Sequence, residues 1–215
     1  MPTSTNNEKF ELAITRLNTH FGEFEFRCYS WGSHEEDNIL ALCKAYEGDW
    51  PIVRVQSAYY TAEIFRSLDC DCHEQLEASL TRVQEEGGVI LYMLCDGRGA
   101  GLLQKIRGLE LSRTERIDTA DAYVRLGLSL DSRKYPRVSQ VLRDLQIGQV
   151  RLLTNNPRKV IGLMDHGIEV RREPLEIIAT HNSRPYLLAK RKKLGHLLVQ
   201  FDEKRHRPQD HLPIN

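Results

Sequence analysis

VILYMLCDGRGAGLLQKIRGLEL, residues 89–111, holds three kinds of chain in one run. VILYML is short and apolar throughout, the mark of a strand buried on both faces. CDGRGAG, residues 95–101, follows with three glycines in seven positions. GLLQKIRGLEL then places Leu102, Leu103, Ile106 and Leu109 at helical spacing. Strand, glycine loop and helix in succession predict an α/β protein. Glycines let a backbone approach a ligand, and the free N–H groups that open a helix attract anions. Arg98 adds a planar fork of donors suited to phosphate or carboxylate. No Lys-Ser/Thr follows, so this is not a P-loop, and the spacing is not that of a dinucleotide fingerprint. The same glycines also suit a tight turn that serves geometry alone.

Working outward, the first third of the chain reads as strands. GEFEFRCYSW alternates Phe24, Phe26 and Cys28 on one face, and NILALCKAY and WPIVRVQ follow around the turn EGDWP. HEQLEASLTRVQEEGG carries Leu76, Leu80 and Val83 at helical spacing and stops at Gly87-Gly88. Past the glycine loop, Asp118 or Thr119 caps a further helix. VSQVLRDLQIG is amphipathic, QVRLLT is a strand, NNP a turn, and RKVIGLMDHG a helix ending at Gly167. PYLLAKRKKLGHLL closes the fold. The expected organisation is a single α/β domain over residues 9–199, with a disordered lead-in at 1–8 and a flexible, proline-containing tail at 200–215.

The 215 residues have zero formal net charge and 28% charged side chains, which argues against a general polyanion binder such as a nucleic-acid protein. The basic run AKRKKLGH, residues 189–196, spreads over several helical faces and reads as a solvated helix end. No apolar run approaches the roughly 20 residues that span a bilayer. The polar start, MPTSTNNEKF, lacks the apolar core of a secretory signal, so a cytoplasmic protein without membrane partners is expected. Cys28, Cys43, Cys70, Cys72 and Cys95 are then core fillers, metal ligands or active-site groups rather than disulfides.

Two more stretches carry chemistry. LLTNNPRKV, residues 152–160, puts Thr154 at a strand end and Arg158 and Lys159 in a first helical turn. Cations there oppose the helix dipole unless an anion sits nearby. SLDCDCHEQLE, residues 67–77, sets Cys70 and Cys72 either side of one aspartate, with His73 next, which is half of a metal site. The loop at 95–101 and the junction at 152–160 together point to a phosphorylated small molecule.

Taken in order, SLxCDCxxQLExxL, GRxxGLLxKIR, DTxxA, RLGLxxDSRxY, VRLLTNNPRKV and KxxKxGHLL resemble the GTP cyclohydrolase II family of riboflavin synthesis, over about Phe21 to Leu198. The resemblance implies one domain of mixed sheet or barrel with flanking helices, a homodimer, and GTP or a related nucleotide as ligand, carried with Mg2+. It implies that an arginine attacks the α-phosphate, releasing pyrophosphate, and that zinc-bound water then opens the imidazole ring with loss of formate. Asp131 and Arg133 match the base and the nucleophile. Arg54, Val55, Ser57, Gln75, Asp96, Gly97, Arg98, Thr119, Thr154 and Lys159 match nucleotide contacts, with Asp96 standing where the family has glutamate. Cys70 and Cys72 match two of three zinc cysteines.

The third zinc position, eleven residues before Cys70, is Tyr59. A phenol that titrates near 10 is a poor zinc ligand beside thiolates. Gln56 and Ala58 stand where a histidine and a glutamate are expected, and Leu109 where a tyrosine is. Three readings follow: zinc held with Cys95 or His73 as replacement ligand, no zinc and free thiols, or a different metal. Three functions follow in turn: a full cyclohydrolase, a divergent paralogue with altered chemistry or another nucleotide, and a non-catalytic nucleotide-binding subunit.

Overall fold

The computed structural model describes residues 8–32 and 34–202. Apart from Glu8 and residues 200–202, the lead-in and tail expected at 1–8 and 200–215 lie outside the described residues. Seven strands form one mixed sheet: β1 (Glu11–Thr19), β2 (Gly22–Ser30), β3 (Ile39–Lys44), β4 (Ile52–Ser57), β5 (Gly88–Met93), β6 (Gln149–Leu153) and β7 (Glu169–Glu173). Their order is β1-β2-β3-β5-β4-β6-β7. The β1 to β3 meander is antiparallel and joins β5 antiparallel, whereas β5-β4-β6-β7 is parallel throughout. Of the sheet and barrel left open by the resemblance, the fold is the open sheet, with β1 and β7 as its edges.

The helices are α1 (Tyr60–Glu63), α2 (Cys72–Glu86), α3 (Leu102–Glu115), α4 (Thr119–Arg125), α5 (Pro136–Asp144), α6 (Pro157–Met164) and α7 (Arg184–Leu194). They explain why VILYML is apolar without alternation. Val89 and Leu91 pack with Val53, Val55, Leu152 and residues of α5 and α6 such as Val138, Leu142 and Leu163. Ile90 and Ile52 point the other way, toward Phe24, Leu153 and Val83 of α2. Each such side chain, fully buried, contributes about 1.5–3 kcal/mol. Strand parity then sends Arg54 and Gln56, both buried, to the α2 side of β4.

Two glycines end α2 for a steric reason. Gly87 has φ +76, and a Cβ there would lie 2.3 Å from the Ala45 carbonyl oxygen; one on Gly88 would lie 2.0 Å from that of Ile52. Helix α4 is capped by Asp118, whose carboxylate accepts from the N–H groups of Ala120 and Asp121. Strand β7 has no counterpart in the sequence reading; EVRRE is an edge strand paired only to β6. In α3 the helix is as expected, but its apolar stripe is not its buried face. Leu103 is 63% exposed, and Leu102 and Ile106 are exposed too, while Lys105 and Gly108 are buried. The reason is the buried carboxylate of Asp96, which Lys105 meets at 2.9 Å.

Candidate functional site

Strands β4 and β6 run parallel and end side by side, and a cavity opens beyond their carboxyl ends, where open α/β sheets bind ligands. Ser57 follows from β4, Thr154 to Asn156 from β6, and Lys159 from the first turn of α6. Asn156 caps α6 by accepting from the Arg158 N–H, and Thr154 Oγ1 accepts from the Asn156 N–H. The turn is therefore tied down by its own side chains. The cavity lining carries five cationic side chains, Arg54, Arg98, Arg133, Lys159 and Lys190, and among the described residues no carboxylate.

Arg133 is held from behind. Its Nε and Nη2 donate to the two oxygens of Asp131 at 2.9 and 2.6 Å, and Nη1 donates to Ser57 Oγ at 3.1 Å. Burial pushes the Asp131 carboxyl up, but the paired guanidinium outweighs it and keeps the carboxyl below its ordinary range. Lys159 donates to the Val55 carbonyl at 2.6 Å. Burial, with Arg54 and Arg133 close by, pulls its ammonium well below the ordinary lysine range. A bound anion would reverse that pull. Arg54 donates to Gln56, Gln75 and the Leu153 carbonyl; burial brings it down to about 10.

The glycine loop is locked from beneath. Asp96 accepts from the Tyr60 N–H, from the Gly97 N–H and from Lys105. Arg98 takes the left-handed conformation (φ 55°) and donates to Thr119 Oγ1 at 3.3 Å, while its Nη1 is buried without a partner. Arg98 thus reaches the cavity, whereas Asp96 and Gly97 support the loop and Thr119 sits behind Arg98. Val55 contributes its carbonyl; its side chain is core.

At the other end lie the thiols. Cys70 Sγ accepts from the Cys72 N–H at 3.4 Å. Hydrogen bonding between the two thiols raises Cys70 and lowers Cys72 to about 7. Tyr59 is half-buried, its ring 6.3 Å from that of Tyr186, with the Lys105 ammonium 3.3 Å above its face. His73 turns outward to Glu77 and Arg66. Cys95 packs against the opposite core with Met93 and Ile39. His73 is engaged by Glu77 and Arg66, and Cys95 lies on the side of the sheet that faces α5, so neither is placed beside the thiols. Among the described residues no group of three His, Cys, Asp or Glu side chains is placed to hold a metal ion. The residues present do not fit a zinc centre.

Helix α7 roofs the cavity, and here the expectation of a solvated helix end is corrected. The basic run does spread over several faces, but one face is the inward one. Lys190 is 9% exposed and donates to Asp71 Oδ1 at 3.2 Å. Lys193 pairs with Asp118 and Asp121, and Arg191 with Asp202. Tyr186 and His196 complete the lining. Burial, with Lys190 and Lys159 near, pushes His196 down to about 2, toward the neutral imidazole. The sequence held one signal for these residues: Gly195, a left-handed helix cap that turns the chain back so that Leu197 N–H donates to the Asn155 carbonyl.

The GTP cyclohydrolase II family model matches residues 10–174. The riboflavin biosynthesis protein RibBA of Bacillus cytotoxicus is 42% identical over 191 residues, 87% of this chain and 48% of that protein. RibBA of Bacillus cereus is 44% identical over 192 residues, with the same shares covered, and that of Cytophaga hutchinsonii 40% identical over 197 residues, 90% of this chain. The chain spans about half the length of these relatives. The crystal structure of RibBX from A. baumannii, a two-domain 3,4-dihydroxy-2-butanone 4-phosphate synthase, overlaps 79% of this chain and 42% of its own at a TM-score of 0.46 and 19% identity. Among the described residues no helix is long and apolar enough to cross a membrane.

Proposed function

The chain belongs to the GTP cyclohydrolase II family, and from that premise we propose that it binds GTP as the magnesium complex and releases pyrophosphate through Arg133. The observation that carries this reading is the Asp131–Arg133 pair on the wall of a cavity lined by cations. Asp131 grips Nε and Nη2, which fixes the guanidinium plane and leaves Nη1 beside Ser57 at the cavity. Attack of a guanidine nitrogen on the α-phosphorus forms an N–P bond. The bond between the α-phosphorus and the bridging oxygen breaks, pyrophosphate leaves, and the guanidinium gives up a proton to Asp131 through the Nε and Nη2 hydrogens that Asp131 already accepts. Lys159 and Arg98 offset the charge that builds on the phosphate oxygens. Water then cleaves the N–P bond and GMP is the product.

Zinc has no part in the proposed reaction, because the donor set among the described residues does not fit it. Ring opening is therefore outside the proposed reaction. Magnesium arrives with the triphosphate as part of the substrate. By family analogy the protein is a cytoplasmic homodimer, and the exposed stripe of α3 offers apolar surface to a second copy; light scattering tests the dimer.

The decisive assay incubates the protein with GTP and measures pyrophosphate, GMP and formate from one reaction. Pyrophosphate with GMP and little formate supports the reading. Equal formate and pyrophosphate would replace it with the full cyclohydrolase reaction. No nucleotide binding by calorimetry would remove both.

A further inference from the structure

We propose that the ammonium of Lys190 occupies the place a metal ion would need, so that Cys70, Cys72, Asp71 and Lys190 form a metal-free cluster. Lys190 Nζ lies 3.2 Å from Asp71 Oδ1 and 3.7 Å from Cys72 Sγ. It is buried, and its cation also sits 4.6 Å from the Tyr186 ring centre. The other oxygen of Asp71 accepts from Gln75 Nε2 at 2.6 Å. The carboxylate beside the thiols is thus already committed on both sides. A buried anion needs a counter-charge, and here an organic cation supplies it.

Two of the positions that depart from the family pattern, Gln56 and Tyr59, are engaged in the same network. Gln56 accepts from Arg54 and donates to Glu63 at 2.6 Å. Glu63 also accepts from the Tyr59 N–H at 3.1 Å and from the Tyr92 hydroxyl. Through Gln75 and Arg54 the hydrogen bonds run unbroken from Lys190 to Tyr92. The Tyr59 ring is pinned beneath Lys105, which Asp96 holds. A metal would have to displace Lys190 and would meet a phenol where a third strong ligand is needed. A dication this close to a buried ammonium is repelled, since burial weakens screening. An ammonium neutralises the cluster but does not turn water into hydroxide at neutral pH, which is what a zinc centre does.

This inference concerns the packing of the thiol end and does not depend on which nucleotide binds. Its test reads metal, not turnover. The full chain is incubated under reducing conditions with zinc alone, and separately with cobalt(II) alone, then freed of excess ion. Metal per chain is measured by mass spectrometry, and thiolate-to-cobalt absorption by spectroscopy. Wild type is expected to keep about a tenth of an equivalent or less and to show no such absorption, against the four-ligand demand of a closed zinc site. Tyr59→Cys alone is expected to gain little, because the ammonium remains. Tyr59→Cys with Lys190→Met is expected to bind roughly tenfold more tightly than Tyr59→Cys. Wild type carrying one zinc per chain, with cobalt–thiolate absorption, would overturn the proposal whatever the variants do. Full occupancy in Tyr59→Cys alone would also overturn it, by making Lys190 a bystander. Circular dichroism of each variant separates lost folding from lost binding, and the wild-type measurement stands without them.

Discussion

At the strand ends of the cavity, Arg133 and Lys159 are each held by neighbours that leave donors facing the open space. At the thiol end, Lys190 is turned on Asp71, and Gln56 and the Tyr59 N–H on Glu63. Both ends are buried and both are rich in charge. The difference is whether the charge is left incomplete. A cation pulled below its ordinary range by burial and like charges, as Lys159 is, stores a need for an anion. Lys190 goes the other way: burial lowers it, but Cys72 and Asp71 together raise it above the ordinary lysine range. One end waits for a ligand; the other has its partners already.

The largest effect should come from the end left incomplete. Arg133→Lys keeps the charge but loses the planar fork that Asp131 grips, and kcat for pyrophosphate release should fall by about 10²–10³. Steady-state pyrophosphate release measures this, and full activity in the variant would break the contrast. Next, Arg98→Ala or Lys159→Ala removes one charge-assisted contact, worth roughly 1.5–3 kcal/mol, so GTP affinity should drop about tenfold or more. Calorimetry decides; unchanged affinity would mean that the phosphates lie elsewhere.

His196 links the cavity to pH. Its folded-state value is pushed down to about 2 from 6.5. Below pH 6.5 the unfolded chain takes up a proton that the folded one refuses, so this residue's contribution to stability falls as pH falls from 6.5 toward 2. Between pH 6.5 and 5 the loss reaches about 2 kcal/mol. Urea midpoints of His196→Gln should therefore drop less steeply with acid than those of wild type, and parallel slopes would show that His196 is not held neutral. The smallest effect belongs to Lys192, two residues from Lys190 but exposed. Lys192→Ala should change stability and GTP binding by no more than about 0.5 kcal/mol. A larger change would mean that the whole basic run, and not its inward face, acts on the cavity.

The sequence carried more of the incomplete end than of the completed one, for a physical reason. Thr154, Lys159, Asp131 and Arg133 sit in short local patterns whose geometry is fixed within a few residues: a capped helix turn, and a side chain paired at i and i+2. Lys190 meets Asp71 across 119 positions, and no local pattern reports such a contact. The run AKRKKLGH shows its charges but not which one faces inward. Buried strands such as VILYML were legible from their apolar runs, whereas EVRRE has one valine among four charged residues and gains its place only by pairing with β6. Helix α3 misled in the opposite sense. Its leucines promised a core, and the face that is buried was set instead by Lys105 and the carboxylate it serves.

The roof over the cavity also fixes an order of events during synthesis. Helix α7 follows every strand of the described residues, so Asp71 leaves the ribosome 119 residues before Lys190 does, and Cys72 next to it. At about 5–20 residues per second, that interval lasts roughly 6–24 seconds. Through it the nascent thiols stand without their ammonium, open to any soft ion in the medium. Docking of α7 is the step that brings the ammonium to the thiols.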